Sequence, residues 1–298
     1  MGIVVALVIE SAPFFEEVTT RFFTDGSWSP LFAPPEFGIW QLLNGTFLIT
    51  GIAILVAIPL GIAIGLVVGA IGGGGAILAL PVLVYILGEE VGPASTGSLV
   101  VVAIAAGVGA GALALRGHVC WRVALTFTAP AAAGSVLGSV ANTAVGTKAL
   151  ILMFVPVMLV ASAATWQRAA QAPGEDPERC PDVPARRIVG AAVGVGLLTG
   201  FFGVGGGFLI VPVLALSLGF GFRRAVATSL VIITLTGCAA LVSHLAIGAS
   251  IDVPVTIALA LATGVGALLG SHIADRVPQA TLGRASAVVV ALLALFLL

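Results

Sequence analysis

The chain is poor in charge. Its 298 residues include only 12 Lys and Arg and 13 Asp and Glu, 8% of the total, where an ordinary soluble domain carries roughly a quarter. That scarcity excludes a free water-soluble globule. A net charge of -1 and a pI near 6.3 give no footprint for nucleic acid. Cysteine is also scarce: Cys120, Cys180 and Cys238 are odd in number and lack metal-ligand spacing, so neither a disulfide framework nor a zinc site is expected. The apolar residues 2–9 have no basic flank and no small-residue cleavage site, so they are not expected to be a cleaved signal peptide.

What is plentiful is apolar side chain and glycine. Apolar residues make up 59% of the chain, mean hydropathy is +1.21, and there are 39 glycines. Such a composition suits a lipid solvent, in which small residues let helices approach closely. The runs 46–71, 94–115, 121–141, 149–166, 225–247, 253–274 and 284–298 approach or exceed the about 20 residues a helix needs to cross a bilayer. They lack the alternation of a membrane strand, and backbone in lipid must satisfy its own hydrogen bonds. An all-α, multi-pass protein of the cell membrane is expected, with the lipid bilayer as its first partner.

The chain repeats itself. GLVVGAIGGGGAILALPVL (65–83) aligns without a gap on GLLTGFFGVGGGFLIVPVL (196–214), which sets Pro81 against Pro212 at an offset of 131 residues. Ser98 then meets Ser229, and after one inserted residue Gly134 and Gly138 meet Gly266 and Gly270. Agreement of Gly and Pro at fixed spacing reads as two homologous halves. The expected organisation is an extracytoplasmic segment 1–45, a first transmembrane repeat 46–166, a polar cytoplasmic linker 167–187 and a second repeat 188–298. Each half holds an apolar helix, a glycine cluster, a short Pro-containing segment and three longer helices. The short segments 76–87 and 208–218 are too brief to span and read as half-helices or re-entrant arms. Glu89 and Glu90 follow the first short segment, whereas Arg223 and Arg224 follow the second; the next loops carry Arg116 and Arg122, then Asp252. Because Lys and Arg mark cytoplasmic loops, the two halves are expected to have inverted topology.

The glycine clusters are the main candidate site: Gly72, Gly74 and Gly75 in the first half, and Gly203, Gly205, Gly206 and Gly207 in the second. Glycine lets a ligand reach the backbone. A short helix starting after each cluster would aim free N–H groups and partial positive charge at the break, a ready anion site. Pro81 and Pro212 mark the short segments, and paired interrupted segments at matching positions point to a transporter's substrate site. No Lys-Ser/Thr follows the glycines, which excludes a P-loop. Ser98, Ser229 and the neighbouring Thr228 place hydroxyls near the start of the helix after each short segment. They are substrate candidates, although a hydroxyl bonded back to its own helix would explain them equally. Small-xxx-small patterns such as Gly61/Gly65/Gly69 are read as helix packing. His244, an ionisable residue near a helix end, is a candidate for proton or ion coupling. With no Ser/His arrangement in a supporting motif, no His-Glu zinc pattern and no paired Asp, neither enzymatic activity nor a cofactor is expected.

The doubled GAIGGGGAILALPVLVYILG and TGFFGVGGGFLIVPVLALSLG, followed by STGSL and ATSL, resembles the sulfite exporter TauE/SafE family over about residues 60–298. The resemblance implies a membrane transporter of small, sulfur-containing anions such as sulfite, thiosulfate or organosulfonates. Gly73 and Ala76 stand where the second half has Val204 and Gly207, so the two breaks are not identical. Residues 10–66, including FFTDGSWSPLFAPPEFGIWQLLNGTFLITG, resemble instead the start of a phosphate ABC transporter permease. That second resemblance implies an alternative role as a non-catalytic permease subunit of a phosphate system.

Overall fold

The computed structural model describes residues 26, 28–29, 36–37, 39–73, 79, 82–86, 88, 91–142, 147–171, 180–202, 207–246 and 253–296. Contacts divide the chain into Met1–Leu55 and Val56–Leu298. In the first unit a short antiparallel ladder pairs β1 (Trp28–Ser29) with β2 (Glu36–Phe37). Helix α1 (Ile39–Ile71) begins there and continues into the second unit.

The second unit is helical: α2 (Val91–Leu115), α3 (Trp121–Asn142), α4 (Thr147–Gln171), α5 (Ala185–Phe202), α6 (Gly207–Ser217), α7 (Phe222–Ala246), α8 (Val253–Arg276) and α9 (Gln279–Phe296). Apolar sequence forces this outcome, since a helix closes its backbone bonds within one segment. Among the described residues, six helices are long and apolar enough to cross a membrane: Ile54–Ile71, Pro93–Leu115, Trp121–Ala141, Ala185–Phe202, Phe222–Val242 and Val255–Ala274. Large apolar side chains are exposed where a soluble protein would carry charge, among them Leu125, Leu137 and Val140 on α3 and Leu261 and Leu268 on α8. This is a multi-pass helical membrane protein. Its broken segment is α6, 11 residues long, or about 16 Å at 1.5 Å per residue. The stretch that aligns with it in sequence holds a π-helical turn, Val82–Ile86; Gly88 and Gly219, which follow the two segments, share positive φ values of 72° and 73°.

Glycine decides which helices touch. A Cβ on Gly65 would overlap the Thr263 carbonyl, and one on Gly266 the Ile62 carbonyl, so α1 and α8 lie backbone to backbone. The α3–α5 pair is built the same way: a Cβ on Gly196 would overlap the Ala131 carbonyl, and one on Gly134 would sit 2.7 Å from the Val193 carbonyl. Residue numbers rise together along both pairs, so both are parallel. Ile62 and Val193 occupy equivalent places in the two glycine-rich stretches, as do Gly266 and Gly134. Between these pairs α2 and α7 run antiparallel. A Cβ on Gly237 would lie 3.4 Å from that of Ala103, and one on Gly107 would lie 3.3 Å from Thr234 Cγ2.

Arginine gathers at one end. Arg116, after α2, donates to the Ser271 carbonyl at 3.2 Å. Arg223, at the start of α7, donates to the Ala274 and Val277 carbonyls at 3.1 and 3.4 Å. Arg276 lies 3.2 Å from His272 Nε2, and Arg122 pairs with Asp182 at 3.5 Å. The end of α2, the starts of α3, α5 and α7, and the end of α8 therefore share one side. Here the structure corrects the cysteine expectation: Cys120 and Cys180 form a disulfide with a Cα–Cα separation of 5.9 Å. Helices α3 and α4 carry the chain out and back, returning Cys180 to the turn it left 60 residues earlier.

Candidate functional site

Helix α1 ends at a glycine because the chain must turn there. Gly72 has φ +84°, and its N–H still bonds the Val68 carbonyl at 2.8 Å. An L side chain would be strained in this left-handed conformation. It would also be crowded: an added Cβ would lie 3.0 Å from Val211 Cγ2, 3.2 Å from Ser229 Oγ and 3.3 Å from Val226 Cγ1. The next residue, Gly73, abuts the backbone of Gly207, where a Cβ would overlap the carbonyl. Gly207 opens α6, and its own Cβ would come within 3.1 Å of Ile233 Cδ1.

Ile233 stands halfway along α7. The meeting point of α1, α6 and α7 therefore reaches from Val226, near the start of α7, to Ile233 at its middle. It is buried: Ser229 is 0% exposed, and Gly72, Gly73 and Gly207 are buried as well. The contacts are made of glycine backbone, one hydroxyl and the apolar side chains of Val211, Val226 and Ile233. The first N–H groups of α6 lack intrahelical partners by construction, and they carry the positive end of that helix's dipole.

The expected site residues divide into three groups. Gly72, Gly207 and Ser229 come together, and Gly73, which was not among the expected substrate residues, stands with them. Its signal in the sequence was the mismatch with Val204, which marked it as unlike its counterpart. Thr228, Ser98 and Pro212 lie elsewhere. Thr228 Oγ1 accepts from the Cys120 N–H at 3.2 Å on the arginine-rich side. Ser98 Oγ donates to the Ser95 carbonyl of its own helix at 2.7 Å. Pro212 lines an apolar groove of about 340 Å³ against α4, with Pro156, Val160 and Leu209. Gly74, Gly75, Pro81, Gly203, Gly205 and Gly206 lie outside the described residues, as does the side chain of His244. Ser229 Oγ also donates to its own helix, at the Val226 carbonyl 2.8 Å away. Thr236, one heptad on, does the same at Ile232, so the hydroxyl face of α7 is held by back-bonding. Cys238 is exposed on α7.

A buried, glycine-lined helix break inside a bundle of helices whose outer faces are apolar fits the class of polytopic membrane transporters. The chain belongs to the sulfite exporter TauE/SafE family, whose description matches residues 57–297. The match opens beside the Leu55/Val56 division of contacts. Two curated relatives from two strains of Xylella fastidiosa, each described as a probable membrane transporter protein, are 32% identical over 179 residues. That stretch covers 60% of this chain and 69% of each relative. No solved structure matches the chain.

Proposed function

We propose that the protein carries small sulfur-containing anions, such as sulfite, thiosulfate or organosulfonates, by alternating access about the two glycine breaks. The observation that supports this most directly is the meeting of Gly73 with Gly207 at the depth of Ile233, beside Ser229 and the start of α6. The described arginines stand near helix ends or beyond them, so donors at the break are backbone N–H groups and a hydroxyl. Such donors suit an oxyanion that must bind and leave. The family name adds the sulfur chemistry.

The same reading takes 46–166 and 188–298 as inverted repeats joined by the linker 167–187. It is supported by the equivalent α1–α8 and α3–α5 contacts and by the antiparallel run of α2 against α7. The arginine-rich end is then cytoplasmic. The test is uptake of labelled sulfite and thiosulfate into proteoliposomes holding the purified chain, with sulfite, thiosulfate, a sulfonate and phosphate as competitors. Saturable flux inhibited by the sulfur anions is expected. Absence of flux with every sulfur anion would overturn the proposal, and flux of phosphate alone would favour the permease reading.

A further inference from the structure

Cys120 and Cys180 play no part in the glycine break, yet they are placed where their chemistry matters. The disulfide lies at the end that carries Arg116, Arg122, Arg186, Arg187, Arg223, Arg224 and Arg276. On the orientation given above that end faces the cytoplasm, where persistent structural disulfides are rare and those that form are transient or sensing. The two sulfurs are unequally placed. Cys180 is exposed, and an Arg224 guanidinium nitrogen lies 3.7 Å from its Sγ. Cys120 is 2% exposed. A cation beside an accessible sulfur favours the attacking thiolate form, and a buried partner within reach is the resolving thiol.

The pair also has something to hold. Cys120 ends the turn between α2 and α3, and its N–H is bonded to Thr228 Oγ1, one residue before the Ser229 that touches Gly72. Cys180 lies five residues before α5, the helix that leads to the second glycine cluster. The bond therefore fastens the linker to the α2–α3 turn, and through Thr228 to α7.

We propose that Cys120 and Cys180 form a reversible thiol–disulfide switch that takes low-molecular-weight disulfides of the glutathione class and, when closed, clamps the linker and slows transport. In the closing reaction the Cys180 thiolate attacks one sulfur of the small disulfide, forming a mixed disulfide and expelling one small thiolate. The Cys120 thiolate then attacks the Cys180 sulfur, forming the intramolecular bond and expelling the second. The small disulfide is reduced, the protein dithiol is oxidised, and the two thiol protons end on the two released thiols. Excess small thiol reverses both steps.

The proposal rests on the cytoplasmic orientation and, for its effect on flux, on the transport reading; the test separates these. Full-length protein carrying Cys238→Ser is expressed, the cells are quenched in acid, and free thiols are tagged with a maleimide that shifts the band on a gel. Both remaining thiols should be tagged. Oxidised glutathione added to inside-out vesicles should remove both tags, slow tryptic cleavage after Arg186 and Arg187 several-fold and reduce sulfite flux at least threefold, with dithiothreitol restoring all three. Cys180→Ser should keep basal flux and lose every response. A pair already oxidised in growing cells would overturn the switch, as would cleavage and flux that ignore the redox state. Redox-dependent cleavage without flux of sulfite, thiosulfate or a sulfonate in either state would refute the sulfur-anion reading while establishing the clamp.

Discussion

At the scale of the residue, the two glycines at the end of α1 do different work. Gly72 supplies a left-handed turn, whereas Gly73 supplies absence, because its missing Cβ is the space that the Gly207 backbone occupies. Gly73→Ala must push α1 and α6 apart. It is expected to lower thermal stability in detergent and to cut sulfite flux more than tenfold. Ser229→Ala separates function from packing at the same spot. Its hydroxyl bonds only its own helix among the partners described, so stability should change by no more than ~1 kcal/mol. Flux should fall about tenfold, the equivalent of ~1.4 kcal/mol in the barrier, if the hydroxyl turns from Val226 to the anion during passage. Unchanged flux would reduce Ser229 to a packing residue. The candidacy of Gly72, Gly207 and Ser229 was legible in the sequence because Gly, Pro and Ser recur at one offset. Thr228, beside Ser229, was not separable from it by sequence. Only the packing of α7 shows that adjacent residues on a helix face different neighbours, one the Cys120 turn and the other the break.

At the scale of the element, small-xxx-small spacing announced close helix crossings without naming the partners. Gly65 and Gly69 could have met any apolar helix; they meet Thr263 and Ala267 of α8. Partner choice is a three-dimensional property, set by which stripes of small residues match over several turns. Gly266→Val tests the α1–α8 seam, where the new side chain would meet the Ile62 carbonyl. A loss on the order of 2–3 kcal/mol is expected from such overpacking, read as a drop in the melting temperature of purified protein. Gly111→Ala is the control: a Cβ there meets nothing within 4 Å, and the change should stay within about 0.5 kcal/mol. The Cys120–Cys180 bond escaped the sequence for a related reason. Two cysteines 60 residues apart become neighbours only because α3 and α4 are similar enough in length to bring the chain back to one side. The side itself can be measured. Ser139, exposed near the far end of α3, and Asp182, exposed beside α5, should label from opposite faces of the membrane when each is changed to Cys. Asp182→Cys should react only after the membrane is opened; labelling of both from outside would overturn the out-and-back course of α3 and α4.

At the scale of the whole molecule, the question is what moves. The parallel pairs α1–α8 and α3–α5 are in backbone contact, so each is expected to travel as a unit. The α2–α7 seam is looser: an added Cβ on Gly109, Gly107 or Gly237 would meet side-chain atoms of Leu230, Thr234 and Ala103 at 3.2, 3.3 and 3.4 Å, with no backbone overlap. Ser229 rides on α7, so on the proposed transport reading a shift along this seam would open or shut the glycine break to one side, the motion that alternating access requires. A covalent bond across the seam should stop it. The Cβ of Ala103 and the Cβ position of Gly237 are 3.4 Å apart, close to the range that a disulfide bridges. In a chain with Cys120, Cys180 and Cys238 changed to Ser, the pair Ala103→Cys and Gly237→Cys should cross-link under mild oxidation. Flux should then fall to the level of empty liposomes and return with dithiothreitol, while each single variant transports in both conditions. Full flux through the cross-linked protein would mean that α2 and α7 move together, and would shift the moving boundary to α6, the short helix that packs against α7 on one side and α4 on the other.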